Sequence, residues 1–375
     1  MKQKGYLWTA IATMIGTIIG AGILGIPYVV AKAGFWTGVF DILFLGIVSL
    51  FLYLYFGEVV LRTEGNHQLP GYAEKYLGKK GKTIMMFAMI FGIYGALTAY
   101  LLGVSQAITA VIGGSATQYL LIFFAIAGFI IYLGLKEVAE SESYMQPLVL
   151  IAVVVLAVLS FKYISFQNLS GFSLKNVFVP YGVVLFAFLG ATAIPEMQME
   201  LKGREKLMKK AILIGILIPI VVYLGFAAFI VGVTGTSTTE VATIGLGKIV
   251  GEHIIIIGNI FAVLTMSTSF LILGLALKDM YRLDYNINKD LAWALTCAIP
   301  LIIAIANLAT FTKVLEIAGI ISGGITGVVI VLMAMKAKTL GTRKPEYTVP
   351  INWMICFWFM LLFTIGVVYY LYQIL

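Results

Sequence analysis

The sequence predicts an all-α membrane protein of eleven transmembrane helices, arranged as an inverted repeat of five plus five with one extra helix at the C terminus. Three observations predict it. Hydrophobic residues make up 61% of the 375 and charged residues only 11%, against roughly 25% charged in a soluble globular chain. The charges fall between apolar runs of about 20 residues, the length that crosses a bilayer. The first and sixth of those runs are interrupted near their middles by glycine and proline. A soluble enzyme is excluded, because the charged side chains are too few to cover its surface.

The runs follow in order. Leu7 to Ala31 comes first, longer than a signal-peptide core and without a small-residue cleavage site, so no secretory leader is expected. Phe35 to Leu61, Thr83 to Val111, Gln118 to Leu135 and Met145 to Phe161 complete the first five. Phe178 to Met199, Ala211 to Val233, Ile249 to Leu277, Leu291 to Asn307 and Val314 to Met335 make the second five, and Val349 to Leu375 is the addition. In lipid the backbone polar groups of each run must be satisfied within it, which makes the runs helices. The chain reads as one transmembrane domain over 1–375, with repeat one at about 7–161, repeat two at about 178–335 and the extra helix at about 349–375.

Orientation follows from the basic residues. With the N terminus in the cytoplasm, 20 of the 25 Lys and Arg lie on that side, leaving Lys32, Lys162, Lys175, Lys248 and Lys313 for the other. The positive-inside rule therefore gives N-in and C-out. The net charge of +8 is a topology signal, and no nucleic-acid partner is expected. Cys297 and Cys356 lie inside apolar runs without a nearby second ligand, and His67 and His253 are far apart. Neither a disulfide framework nor a His/Cys metal site is expected.

The broken runs carry the functional reading. Gly16-Thr17-Ile18-Ile19-Gly20-Ala21-Gly22-Ile23-Leu24-Gly25-Ile26-Pro27 sets four glycines and a proline where a spanning helix should be most regular. A kink or close helix contact is one reading. The other is an unwound joint between half-helices, whose free amides meet an anion and whose free carbonyls meet a cation. Phe186-Ala187-Phe188-Leu189-Gly190-Ala191-Thr192-Ala193-Ile194-Pro195-Glu196 interrupts the sixth run in the same way. Breaks five helices apart are what an inverted repeat produces, with a shared site at the midplane.

These residues resemble a known family. Gly16 to Pro27 is similar to the first-helix motif of the amino acid/polyamine/organocation superfamily of secondary transporters. Glu58, the stretch Gly71 to Gly81, and Tyr94 and Tyr100 around Ala96-Leu97-Thr98-Ala99 resemble its bacterial aromatic amino acid permeases, as does Thr268-Ser269-Phe270-Leu271. Phe186-Ala187-Phe188 followed by Glu200-Leu201-Lys202 resembles the eukaryotic amino acid/auxin permeases. The resemblance implies a LeuT-like fold and a multi-pass protein of the plasma membrane that imports neutral or aromatic amino acids by alternating access, driven by a cation gradient. It places the substrate carboxylate on the amides of Ala21 and Gly22, beside Thr17, and the ammonium on carbonyls around Phe186 and Phe188. Tyr94 and Thr98 of helix three, with Phe186, Gly190 and Ala191 of helix six, complete the implied pocket.

Thr265, Thr268 and Ser269 stand at i, i+3 and i+4, sharing one face of helix eight. Small hydroxyl residues also line tight helix contacts in membranes. Read functionally, Thr268 and Ser269 give side-chain oxygens to a sodium ion, joined by the carbonyls of Thr265, Gly16 and Ile19. The lysine that replaces this ion in some proton-coupled members falls at or near Val149 here, and Ile23 stands where some relatives ligate a second sodium. One sodium at most is expected, with no cofactor beyond the co-transported cation. Glu58 and Glu196 are candidates for carrying a proton or gating, although Glu58 is also four residues from Arg62, the spacing of a helical salt bridge. An amino acid sensor is the rival reading, and a membrane-embedded enzyme lacks a His, Asp or Cys constellation at one depth.

Overall fold

A computed structural model describes residues 2–134, 142–283 and 285–374 of the chain. Lys136, one of the basic residues used for orientation, and Leu135 and Leu375, which end two of the runs, lie outside the described residues. Among the described residues there is no β-strand. The helices are α1 (Lys2–Ile18), α2 (Gly22–Ala33), α3 (Phe35–Leu61), α4 (Leu69–Ile112), α5 (Ala116–Leu133), α6 (Glu142–Ser160), α7 (Tyr181–Ala187) and α8 (Ala193–Glu200). They continue with α9 (Met208–Thr234), α10 (Ala242–Val250), α11 (Glu252–Leu283), α12 (Lys289–Ile305), α13 (Phe311–Ala318), α14 (Gly324–Leu340) and α15 (Trp353–Ile374).

Seven helical stretches among the described residues are long and apolar enough to cross a membrane: α3, α4, α5, α9, α11, α13 with α14, and α15. The pair α1 and α2, bent by 55° at its break, makes an eighth. The remaining three predicted runs are helical but shorter. They are α6 with its apolar stretch Leu148–Tyr163, the 17-residue α12, and the pair α7 and α8 of 7 and 8 residues. The third run begins earlier than predicted, because α4 extends back to Leu69 and turns at Gly78, whose φ of 71° interrupts the helical backbone.

The half-helices α1, α2, α7 and α8 lie in the middle of the bundle. On one side α9 packs on α1 and α2, while α3 packs on α2, α7 and α8; α13 lies against α7, and α4 runs along α11, α13 and α14. Between α13 and α14 the chain takes one wide π turn, Gly319–Gly323. A Cβ on Gly319 would collide with the Gly182 carbonyl and stand 2.8 Å from the Phe186 amide, so only glycine lets this turn press against α7. A Cβ on Gly25 would lie 3.0 Å from a Leu315 methyl and 3.3 Å from one of Val183, a tight side-chain contact, and Phe311 and Leu315 are fully buried. This packing brings α2, α7 and α13 into close contact beside the breaks.

Candidate functional site

Both interrupted runs are interrupted in three dimensions. The helical ladder of α1 stops at Ile18, and that of α2 restarts with tight bonds, Ile23 N–H to Gly20 at 3.4 Å and Leu24 N–H to Ala21 at 3.1 Å. The amides of Ala21 and Gly22 donate to no backbone carbonyl among the described residues. They are the free donors that open any helix N terminus. In the sixth run, Leu189 N–H turns back to Phe186 at 3.0 Å and Ala193 N–H to Gly190 at 3.1 Å, leaving residues 188–192 out of helix.

Two buried tyrosines complete these breaks, and neither is a candidate in the sequence. The Tyr53 hydroxyl of α3 accepts from Gly190 N–H at 2.7 Å and donates to the Phe188 carbonyl at 2.5 Å. The Tyr223 hydroxyl of α9 lies 2.7 Å from the carbonyl of Ile18 and 2.8 Å from that of Ala187, the last residues of α1 and α7. The only sequence signal for either was a tyrosine within an apolar run that holds other aromatic residues.

A cavity of about 170 Å3 opens where the breaks meet. That is on the order of ten times the ~10–15 Å3 that one ordered water needs. Its walls include Gly20, Ala21 and Gly22 from the first break, Phe186, Gly190 and Ala191 from the sixth, and Leu273 of α11. Thr17, Thr192, Leu69 and Met89 extend it along the α1 and α8 side. Of the nine predicted substrate residues, Thr17, Ala21, Gly22, Phe186, Gly190 and Ala191 line it. Phe188 does not. It is 1% exposed, and its ring stands edge-on to Tyr223 at 5.1 Å.

Tyr94 and Thr98 also lie outside the lining. The Tyr94 hydroxyl bonds the Tyr281 hydroxyl at 2.6 Å and the Leu295 carbonyl at 3.1 Å, and Thr98 donates to the carbonyl of Tyr94 at 2.8 Å. The face of α4 at the cavity is Gly92, Ala96 and Tyr100. Two residues along a helix is a rotation of about 200°, which sets Tyr94 and Thr98 away from that face. Small residues make the room; the phenol of Tyr94 instead joins α4 to α11 and α12. Ser322 in the π turn and Thr326 of α14 also line the cavity, and nothing in the local sequence singled them out.

The hydroxyl face of α11 borders the first break. A Cβ on Gly20 would lie 3.5 Å from Ser269 Oγ. Thr265 Oγ1 is buried without a partner among the described residues, and the Ile19 carbonyl accepts no hydrogen bond there either. Thr268 Oγ1 is turned to its own helix, 3.1 Å from the carbonyls of Leu264 and Thr265, which leaves the Thr265 carbonyl less open than expected. Gly16 lies buried in the last turns of α1.

Glu58 is 3% exposed and paired on all sides. Its carboxylate takes Arg62 Nε at 2.8 Å, Lys338 Nζ at 2.6 Å and 2.8 Å, and Val349 N–H at 2.7 Å. Two cations and an amide surround it, so the carboxylate ties α3 to α14 and to the segment after it. In the following loop, burial and then the Glu58 charge hold the Tyr347 phenol well above its ordinary range. Glu196 is exposed on α8 and makes no ion pair among the described residues, whereas Glu200 accepts from Thr13 Oγ1 at 2.7 Å and ties α8 to α1. Asp41 of α3, passed over in the sequence, is 3% exposed with a carboxyl oxygen that has no partner among the described residues.

Comparison with known proteins gives this geometry a context. The profile of the tryptophan/tyrosine permease family matches residues 2–373. The chain is similar to tyrosine-specific transport system 1 of Haemophilus influenzae, 27% identical over 355 residues and 88% of each chain. It is similar to glutamine transporter 2 of Aliivibrio fischeri, 25% identical over 321 residues and 82% of each chain. A plant protein, amino acid transporter AVT1H of Arabidopsis thaliana, is 21% identical over 214 residues, covering 54% of this chain and 50% of its own.

Proposed function

The chain belongs to the tryptophan/tyrosine permease family, and from that membership and its cavity between two broken helices we propose that it imports neutral or aromatic amino acids by alternating access, coupled to a cation gradient with sodium favoured. It is a multi-pass protein of the plasma membrane and a transporter, not an enzyme. The observation that carries the reading is that both breaks line one cavity. A zwitterion entering a low-dielectric site needs partners for both charges, and half-helix ends supply them without burying a fixed ion. The carboxylate would take the unmet amides of Ala21 and Gly22. The ammonium would take carbonyls of the sixth break; those of Phe186 and Phe188 each accept one bond already and keep a second lone pair. Tyrosine and glutamine, which name two relatives, are the first substrates to test.

The wider reading assigns the chain to the amino acid/polyamine/organocation superfamily as a single domain of eleven helices. In it, α1 to α6 form one repeat, α7 to α14 its inverted counterpart, and α15 the addition, in the LeuT-like arrangement. The sodium ion would sit between Ser269, Thr268 and the carbonyls near Ile19, where the orphaned Thr265 hydroxyl marks polar capacity not yet used. Val149, where some relatives have a lysine in place of the ion, is buried and uncharged.

Proton coupling is the second reading, favoured by the unpaired carboxyl of Asp41 rather than by Glu58. The deciding experiment is uptake of labelled tyrosine, tryptophan and glutamine into proteoliposomes, under an inward sodium gradient and separately under a proton gradient. Accumulation with sodium alone supports the first reading, and accumulation with protons alone the second. Uptake of no amino acid under either gradient ends the transport assignment for these substrates.

A further inference from the structure

Tyr223 is fully buried, and its phenol faces two acceptors at once. Each is the carbonyl of a last helical residue, Ile18 of α1 and Ala187 of α7, beyond which the ladder does not continue. A phenol carries one proton. At 2.7 Å and 2.8 Å both carbonyls are within full hydrogen-bond distance, yet only one can be bonded at any instant. The end of α7 also touches the start of α2 at Gly22, where an added Cβ would stand 2.8 Å from Ala187 Cα. Tyr53 makes the contrast: its acceptor and its donor both lie within the sixth break, so it ties that break only to α3.

We propose that Tyr223 is a positioning residue that couples the two breaks, its single hydroxyl proton shared between the end of α1 and the end of α7. Movement of either half-helix away from the other breaks one of the two contacts and leaves the proton with the remaining carbonyl. Geometry at one break is thereby felt at the other, across elements that are separated by most of repeat one in the chain. The inference rests on the transport reading for its purpose, but its first test is read on the protein without substrate, so the two can fail separately.

That test is hydrogen–deuterium exchange on the full-length protein in lipid nanodiscs, followed for peptides spanning 16–25 and 184–194. Tyr223→Phe should speed exchange in both peptides, by about tenfold for the loss of one buried hydrogen bond, while Tyr53→Phe should speed it only in 184–194. Exchange altered by Tyr223→Phe in one peptide alone, or in neither, overturns the proposal. Should Tyr223→Phe fail to fold, 3-fluorotyrosine at position 223 keeps ring and hydroxyl while making the phenol a stronger donor. Slower exchange in both peptides then supports the coupling, and a change confined to one refutes it. In transport assays, Tyr223→Phe should raise the half-saturating amino acid concentration by about tenfold with the maximum rate within about twofold. An unchanged half-saturation would count against the proposal.

Discussion

At the first break the amides of Ala21 and of Gly22, the first residue of α2, are unmet, whereas among the five residues between α7 and α8 Phe188 and Gly190 bond the hydroxyl of Tyr53. The sixth break is thus tied by the protein itself at Gly190 and Phe188, although the amides of Ala191 and Thr192 donate to no backbone carbonyl among the described residues. The first is held by close backbone contact with α7 at Gly22 and borders the hydroxyls of α11. A site built this way has one wall fixed in advance and another that gains its partners only when something enters. Preorganising part of a site lowers the ordering cost of binding, while the unmet part provides the difference between occupied and empty states that any switch requires.

Gly22→Val should have the largest effect, since its Cβ would lie 2.8 Å from Ala187 Cα and 2.9 Å from Ala187 Cβ. Overpacking of this kind costs about 1–3 kcal/mol. More to the point, it pushes the breaks apart, so uptake should fall to background in cells that still carry the protein in the membrane. Preserved uptake would show that contact between the breaks is dispensable.

Tyr53→Phe comes next. It strands the Gly190 amide and Phe188 carbonyl and should cost about 2 kcal/mol, read as a lower thermal midpoint. If the midpoint holds, the sixth break does not depend on its phenol and the contrast with the first collapses.

Ser269→Ala addresses the open wall. On the sodium reading it should raise the half-saturating sodium concentration about tenfold, one ligand's worth of interaction, with the thermal midpoint in sodium-free buffer unchanged. A sodium response identical to that of the unaltered protein would falsify the placement of the ion at this face. Thr265→Val is the smallest and has the opposite sign. Its hydroxyl is buried without a partner among the described residues, so its removal should stabilise the sodium-free protein by about 1 kcal/mol while shrinking the stabilisation that sodium adds.

The interruptions were legible because glycine and proline act locally. Gly20 to Gly22 and the stretch around Gly190 announced where the helices fail, and the structure breaks at those residues. The Glu58–Arg62 pair was legible for the same reason, being one helical turn apart. Lys338, which pairs more closely with Glu58, stands 280 positions away, and only the fold brings it there. Tyr53 and Tyr223 were missed on that account too: each acts across helices, and along its own helix it is one aromatic among many. On α4 the resemblance pointed to Tyr94 and Thr98, whereas the residues at the cavity include the small Gly92 and Ala96, which contribute by leaving space and so carry no signal of their own in the sequence.

The π turn at Gly319–Gly323 also sets a phase. One extra residue in a helix rotates everything beyond it by about 100° and shifts it about 1.5 Å along the axis. The azimuth of α14, and with it the meeting of Lys338 and Glu58, is therefore written into that single widened coil. Deleting one residue from 319–323 would straighten the helix and swing the lysine off its carboxylate, dismantling an anchor some four turns away from the lesion.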